Sequence, residues 1–292
     1  MAERLSSRRV RSSSLGFMLG LRSALVDNSL ALGIVIIAFI VLLAIFADKL
    51  TPYKPLDMIG EPLQPPSRMH LLGTDDMGRD LLTMVVYGSR VSLLIGVLAA
   101  ILATAIGTII GLLSAVIGGK LDVLISRSID FVISLPYLAV ALAILAFLKP
   151  SIWVIVVVIA ALGWVTPAKV VRTSTLTVLG MPYVEAAYAL GSSKLWIVWK
   201  HVLPGVKPFI LSSMVLNVRS AILFEASLSF LGMGDPSHVS WGTILFYARR
   251  AGAFMLGAWW WIIPPGLMIM LTVLGFTLIA IGLDRVLNPR LR

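Results

Sequence analysis

The stretch TVLGMPYVEAAYALGSSKLWIVWKHVLPG, Thr177 to Gly205, decides how the rest of the chain is organised. Pro182 suits the first turn of a helix, where its missing N–H would have had no intrahelical partner. Val184, Ala187, Tyr188 and Leu190 then recur at helical spacing, and Glu185 falls in the opening turn, where the helix dipole favours an acid. Gly191 interrupts the pattern. Leu195, Trp196, Val198, Trp199 and Val202 begin a second apolar face, which Pro204 is expected to end. Two short helices joined at a glycine are therefore predicted. Their tryptophans, with Lys194 and Lys200, suit either an amphipathic element lying in the headgroup region or a rigid protrusion that docks a protein partner.

On both sides of this element the chain is too apolar for water. It is 59% hydrophobic and 13% charged over 292 residues, with mean hydropathy +0.98, more apolar side chain than a soluble domain of that length can bury. Asn28 to Ala47 is uncharged and long enough, at about 1.5 Å per residue, to cross a hydrocarbon core of about 30 Å. Further charge-free runs cover Val91 to Gly119, Phe131 to Leu148 and Pro150 to Ala168, with a tight turn expected at Lys149–Pro150. A fifth apolar region, near Pro208 to Leu231, contains Arg219 and Glu225, and a sixth lies within Ala251 to Leu283. The expectation is an all-α polytopic membrane protein with six transmembrane helices. The first span follows a long basic stretch without a small-residue cleavage signal, so it reads as an anchor and not as a removed signal peptide.

Charge placement gives the orientation. With a cytoplasmic amino terminus, most basic residues fall inside: Arg4, Arg8, Arg9, Arg11 and Arg22 in the 1–27 segment, then Lys120, Arg127, Lys169 and Arg172, and finally Arg285, Arg290 and Arg292 in the 284–292 tail. Both termini are then cytoplasmic, and the six-helix transmembrane domain runs over 28–283. The net charge of +10 becomes a topology signal, and nucleic acid is not needed to explain it. The chain has no cysteine, and its histidines, His70, His201 and His238, are scattered, so the sequence offers little to a metal centre. GTIIGLLSAVIGG, Gly107 to Gly119, lacks the lysine and following hydroxyl of a phosphate loop, so its glycines are assigned to close helix packing.

The segment 48–83 falls outside the membrane, opposite the 180–205 element. Its prolines are expected to keep it extended over the outer face. It ends in HLLGTDDMGRDLL, His70 to Leu82, where Gly73 and Gly78 permit turns. Asp76 and Asp80 could share a helix face, and Arg79 could pair with Asp75. The motif is then either a self-paired entry into the second span or a contact for a docking partner or solute.

EAAYALGSSKLWIVWKHVLP, Glu185 to Pro204, resembles the EAA motif of permease subunits in binding-protein-dependent ATP-binding-cassette importers, through Glu185, Ala186, Ala187, Gly191, Ile197, His201, Leu203 and Pro204. LGTDDMGRDLL, with Asp75, Asp76, Gly78, Arg79 and Asp80, and EASLSFLGMG from Glu225 look like further signatures of the dipeptide and oligopeptide branch. The resemblance implies a type I importer permease fold and a partnership with a second, related permease, two ATPases and an extracytoplasmic binding protein in a bacterial inner membrane. It also implies that Glu185 to Pro204 enters a groove on an ATPase. ATP and magnesium would be used by the ATPases, with no cofactor, metal or catalytic residue in this chain. Two departures stand out: Gly205 replaces the usual asparagine after the proline, and AIGLDR, Ala280 to Arg285, reverses the usual acid and arginine order.

Arg219 is a third departure, since that region is usually small or apolar. An arginine near a helix centre costs about 2.5 to 3.5 kcal/mol on insertion scales, so it should face protein or water. Glu225 lies on another face of the same helix, which leaves Arg219 either a structural ion pair with another element or a lining charge that favours the carboxylate of a peptide. Dipeptides or oligopeptides are the expected solutes, with nickel, glutathione or another small solute as the alternative in the same class. An ion-coupled secondary transporter fits less well, because no paired pattern of broken helices is evident.

Overall fold

The computed structural model describes residues 28–287; the basic 1–27 segment and the end from Asn288 lie outside the described residues. The chain is helical. The described part opens with α1 (Ser29–Ile45), breaks at Phe46 and makes one further turn, α2 (Ala47–Leu50). After the 51–80 segment comes α3 (Leu81–Ile117), an uninterrupted α-helix of 37 residues. The Asp80 side chain caps it by accepting the Thr83 N–H at 2.8 Å, so it starts well before the uncharged run does.

A bent pair follows, α4 (Gly119–Ser134) and α5 (Tyr137–Ala146), with 83° between them. This corrects the continuous span expected over Phe131 to Leu148. Pro136 forces Leu135 into extended backbone (ψ 142°) and donates no N–H, so the helix must stop and restart. α6 (Ile152–Gly163) and α7 (Val165–Leu179) together make a 28-residue span that continues past Lys169 and Arg172. That extension is possible because Asp122 of α4 accepts two bonds from Arg172, both 2.6 Å, and Asp130 lies 3.4 Å from Lys169.

The fifth span also differs from expectation. After α8 (Pro182–Ala189) and α9 (Lys194–Ile197), a π-helical turn at Val198–Val202 leads without a break into α10 (Leu203–Leu228). Pro204 therefore does not end the second short helix. It sits in the first turn of α10, where the wider π register has already suspended the i→i−4 ladder that a proline would interrupt. A second π turn at Ser229–Met233 precedes the amphipathic α11 (Trp241–Arg250) and the final α12 (Trp259–Leu287).

Among the described residues, four helical stretches are long and apolar enough to cross a membrane, or five when the bent pair is taken as one span, and α1 is a shorter apolar helix of 17 residues. Many apolar side chains point outward, among them Val35, Phe39, Ile109 and Val157, as lipid-facing helices require. The core forms around α3, whose Ile95, Ala99 and Ala100 pack in one cluster with Ile155 and Ile159 of α6 and Val218 and Ile222 of α10. Gly107 and Gly111 let α7 approach closely. A Cβ at Gly107 would lie 2.5 Å from the Trp164 carbonyl, and one at Gly111 would lie 2.5 Å from that of Ala168. Since Gly107 meets Trp164 and Gly111 meets Ala168, α3 and α7 run parallel, which places the end of α7 opposite the start of α3. The 180–205 element and the 51–80 segment thus occupy opposite ends of the bundle. Leu30 packs on Gly282, bringing the two ends of the described chain together.

Candidate functional site

The 180–205 element is anchored by a small core of its own. Val184, Ala187, Ile197, Val202 and Val206 are buried against Val171 and Val178 of α7. The turn between α8 and α9 is closed by two bonds, Ser192 N–H to the Ala187 carbonyl at 3.1 Å and Gly191 N–H to that of Tyr188 at 3.0 Å. These are the paired bonds of a Schellman cap, which needs a left-handed residue at Gly191, and its φ is +83°. Ser193 then caps α9 by accepting the Trp196 N–H. His201 is half-buried between the rings of Tyr183 (5.5 Å) and Trp196 (5.2 Å), which ties the π turn to both short helices.

What remains outside is apolar. Leu190 is 87% exposed, Leu195 69% and Trp199 66%, with Tyr183 and Trp196 about half exposed. Glu185, Ala186 and Pro204 are exposed beside them, while Leu203 is half-buried. Exposed apolar side chains held on a well-packed core are the kind of surface that a lipid or protein contact covers. Gly205 accounts for one departure of the sequence: a Cβ there would come within 3.0 Å of Val178, so the glycine seats α10 against α7.

The opposite end is closed by contacts within the protein. The 51–80 segment folds back instead of running extended: Met58 bridges Arg79, Thr74 bridges Asp80, and the Thr74 hydroxyl donates to the Glu61 carbonyl at 2.6 Å. Gly78 permits this, because its φ is +75° and a Cβ would collide with the Gly60 carbonyl. Asp75 accepts from Arg79 Nε (2.5 Å) and from the backbone N–H groups of Met77 and Arg79, all in a turn and not a helix. The Arg79 guanidinium lies over the Tyr247 ring at 4.8 Å. Asp80 caps α3 and meets buried His70 Nδ1 at 2.9 Å, while Trp260 Nε1–H donates to the Thr74 carbonyl. Asp76 alone among these acids is exposed, and partial desolvation and the charge of Asp75 hold its carboxyl above the usual range. At the rim, Arg90 donates to the Ala44 and Ile45 carbonyls at the end of α1 and to Asp48. Its bond, and one from Tyr87, lower the Asp48 pKa to about 2.

Arg219 and Glu225 are not brought together. Glu225 is fully buried and accepts from the hydroxyls of Ser229 (2.7 Å) and Ser92 (3.2 Å), and Ser92 in turn receives the Trp241 N–H. This serine cluster joins α3, α10 and the start of α11. The sequence hides it, because serines at positions 92 and 229 carry no signal until the helices pack. Arg219 faces two cavities and forms no ion pair or hydrogen bond with any described residue. Among the described residues no group of three His, Asp or Glu could hold a metal ion.

Residues 107–292, which include the whole 180–205 element, match the family model of the binding-protein-dependent transport system inner membrane component. The chain belongs to this family. The permease is 34% identical to the dipeptide transport system permease protein of Bacillus subtilis over 97% of its own length and 89% of the relative's. It is 35% identical to the oligopeptide transport system permease protein of the same organism (91% and 87%) and 35% identical to the di/tripeptide transport system permease protein of Pseudomonas aeruginosa (89% and 88%). Its fold matches a chain in an inward-facing structure of the MetNI methionine ABC transporter, with TM-score 0.54 and 18% identity over 73% of this permease and 98% of that chain. The permease is thus an all-α, multi-pass inner-membrane subunit of the type I ABC-importer fold. It is a transport subunit and not a catalyst, and its family membership implies a multi-subunit complex.

Proposed function

We propose that the permease carries dipeptides or oligopeptides inward by alternating access, driven by ATPases that grip the 180–205 element. The observation that carries this reading is the exposed apolar surface of Leu190, Leu195 and Trp199 on a Schellman-capped turn rooted in a long span. A push on α9 passes through the π turn into α10 without a flexible joint, so motion at the protrusion must move the bundle. The names of the relatives support peptides as the solute.

In this reading the chain crosses six times, the bent pair counting as one crossing and α1, at about 25 Å, as a short one. The meeting of Leu30 with Gly282 supports an even number, and the basic residues then set both termini in the cytoplasm. The 28–283 permease domain carries the 48–83 segment outside and the 180–205 element inside. The working complex contains a second homologous permease, two ATP-binding-cassette ATPases that use ATP and Mg, and a binding protein on the outer face. Glu185, Ala186, Gly191, His201, Leu203 and Pro204 shape the ATPase contact, and Ala187 anchors it.

ATP-dependent uptake into vesicles holding the complete complex, with peptides beside nickel and glutathione, tests this. Peptide uptake abolished by altering Glu185 and Gly191 in an assembled complex is the expected result. Uptake of nickel or glutathione without peptides overturns the solute, and undiminished uptake in the altered complex overturns the coupling role.

A further inference from the structure

α10 has a single acid, Glu225, and the serine cluster engages it away from Arg219. Arg219 is left in the interior of a membrane-spanning helix without a protein partner among the described residues. That arrangement is unfavourable against lipid, where an arginine costs about 2.5 to 3.5 kcal/mol, and is tolerable where the guanidinium meets water or an anion. Arg219 borders a cavity of about 410 Å³ between α3, α6, α7 and α10 and a second of about 430 Å³ that also meets Ser220 and Phe224, and it is the one charged residue lining either.

The first of these cavities has the composition of a small-molecule site. Its wall is mostly apolar, kept open by Ala99, Ala103 and Gly163, with Thr166, Asn217 and Ser220 as neutral polar groups beside the arginine. Asn217 spends an amide N–H on the Thr104 hydroxyl at 3.2 Å, which fixes its side chain at the cavity edge. A guanidinium offers a planar fork of donors that matches a carboxylate, and the apolar wall raises the strength of that pairing above its value in water.

We propose that Arg219 and this cavity form a transit subsite for the terminal carboxylate of a short peptide, with the peptide backbone lying along Asn217, Ser220 and Thr166. This rests on the peptide reading above and adds to it a chemical preference within the permease itself. Transit requires that the carboxylate be held weakly enough to leave, and a single half-buried fork without a second cation lining the cavity meets that condition.

The natural chain has no cysteine, so a Ser220→Cys variant places one thiol in this subunit, at the border of both cavities. In the complete complex in nanodiscs, without binding protein, its alkylation is followed by the mass of this subunit. A free-acid dipeptide should slow the reaction several-fold while its C-terminal amide does not, and adding Arg219→Gln should weaken protection by the acid about tenfold. Arg219→Lys should retain part of it. Equal protection by acid and amide, no protection by either, or protection unchanged by Arg219→Gln overturns the subsite. Loss of the second permease from the purified Arg219→Gln complex also overturns it, by making Arg219 an assembly contact. These outcomes are separable from failure of the peptide reading, which shows as an unmodified complex that takes up no peptide.

Discussion

In the 51–80 segment Asp75, Arg79 and Asp80 are buried and engaged by neighbours within the same segment or at the start of α3. In the 180–205 element, at the other end of the same helices, Glu185, Leu190, Leu195 and Trp199 all stand in the open over a small private core. The first motif spends most of its polar groups within the protein, with Arg79 Nη2 buried and lacking a hydrogen-bond partner among the described residues, and the second leaves its surface for something else to cover. A charged motif is therefore poor evidence of docking by itself. What distinguishes the two is whether the protein already satisfies it.

Breaking the outer motif should have the largest effect on stability. Asp75→Ala leaves Arg79 buried without its carboxylate and frees two backbone N–H groups, so a loss of about 3 to 5 kcal/mol is expected. Denaturant unfolding of the purified subunit complex reads it, and a loss below about 1 kcal/mol would show that the pair is not holding the segment. Trp199→Ala is the opposite experiment. The same unfolding should move by less than about 0.5 kcal/mol, while peptide-stimulated ATP hydrolysis should fall steeply if Trp199 is an anchor worth about 2 kcal/mol or more. Unchanged hydrolysis would return the tryptophan to a lipid-facing role.

Gly191→Ala lies between these extremes. Nothing surrounds a Cβ at this position, so the substitution tests the left-handed backbone alone, at about 1 to 2 kcal/mol. The expected sign is local loosening: faster hydrogen exchange at Gly191 and Ser192, whose N–H groups close the cap, with the core amides of α3 unaffected. Equal protection in both proteins would mean that the cap is dispensable.

This cap was legible in the sequence, since an amphipathic pattern that stops at a glycine and resumes after it allows few other folds. The apolar runs, the Asp75–Arg79 pairing and the packing glycines were legible for the same reason, as each depends on residues close in sequence or on one helix period. The bend at Leu135–Pro136 was present in the sequence, yet counting uncharged residues passed over a proline whose effect is on backbone geometry. The continuity from α9 into α10 was hidden by Pro204, because a proline that ends an α-helix can open the next helical segment once a π turn precedes it. The serine cage of Glu225 and the cavity beside Arg219 depend on packing between α3 and elements more than a hundred residues away, which no local pattern encodes.

The smallest expected effect sharpens the contrast within the outer end itself. Asp48 is exposed, unlike Asp75, and its bond to Arg90 lowers its pKa from the ordinary 3.8 to about 2. A carboxyl whose folded pKa lies below its unfolded one contributes stability that is fully present above the unfolded value and lost as pH falls toward the folded one. The stability difference between the natural protein and Asp48→Asn should therefore be flat above about pH 4 and shrink between there and about pH 2. Because solvent screens the pair, raising the salt concentration should reduce the whole difference. A difference that persists undiminished in high salt would mean that Asp48 is acting through the Arg90 contacts with the Ala44 and Ile45 carbonyls, holding α1 to α3, and that the rim is a structural clamp of the same kind as the buried motif behind it.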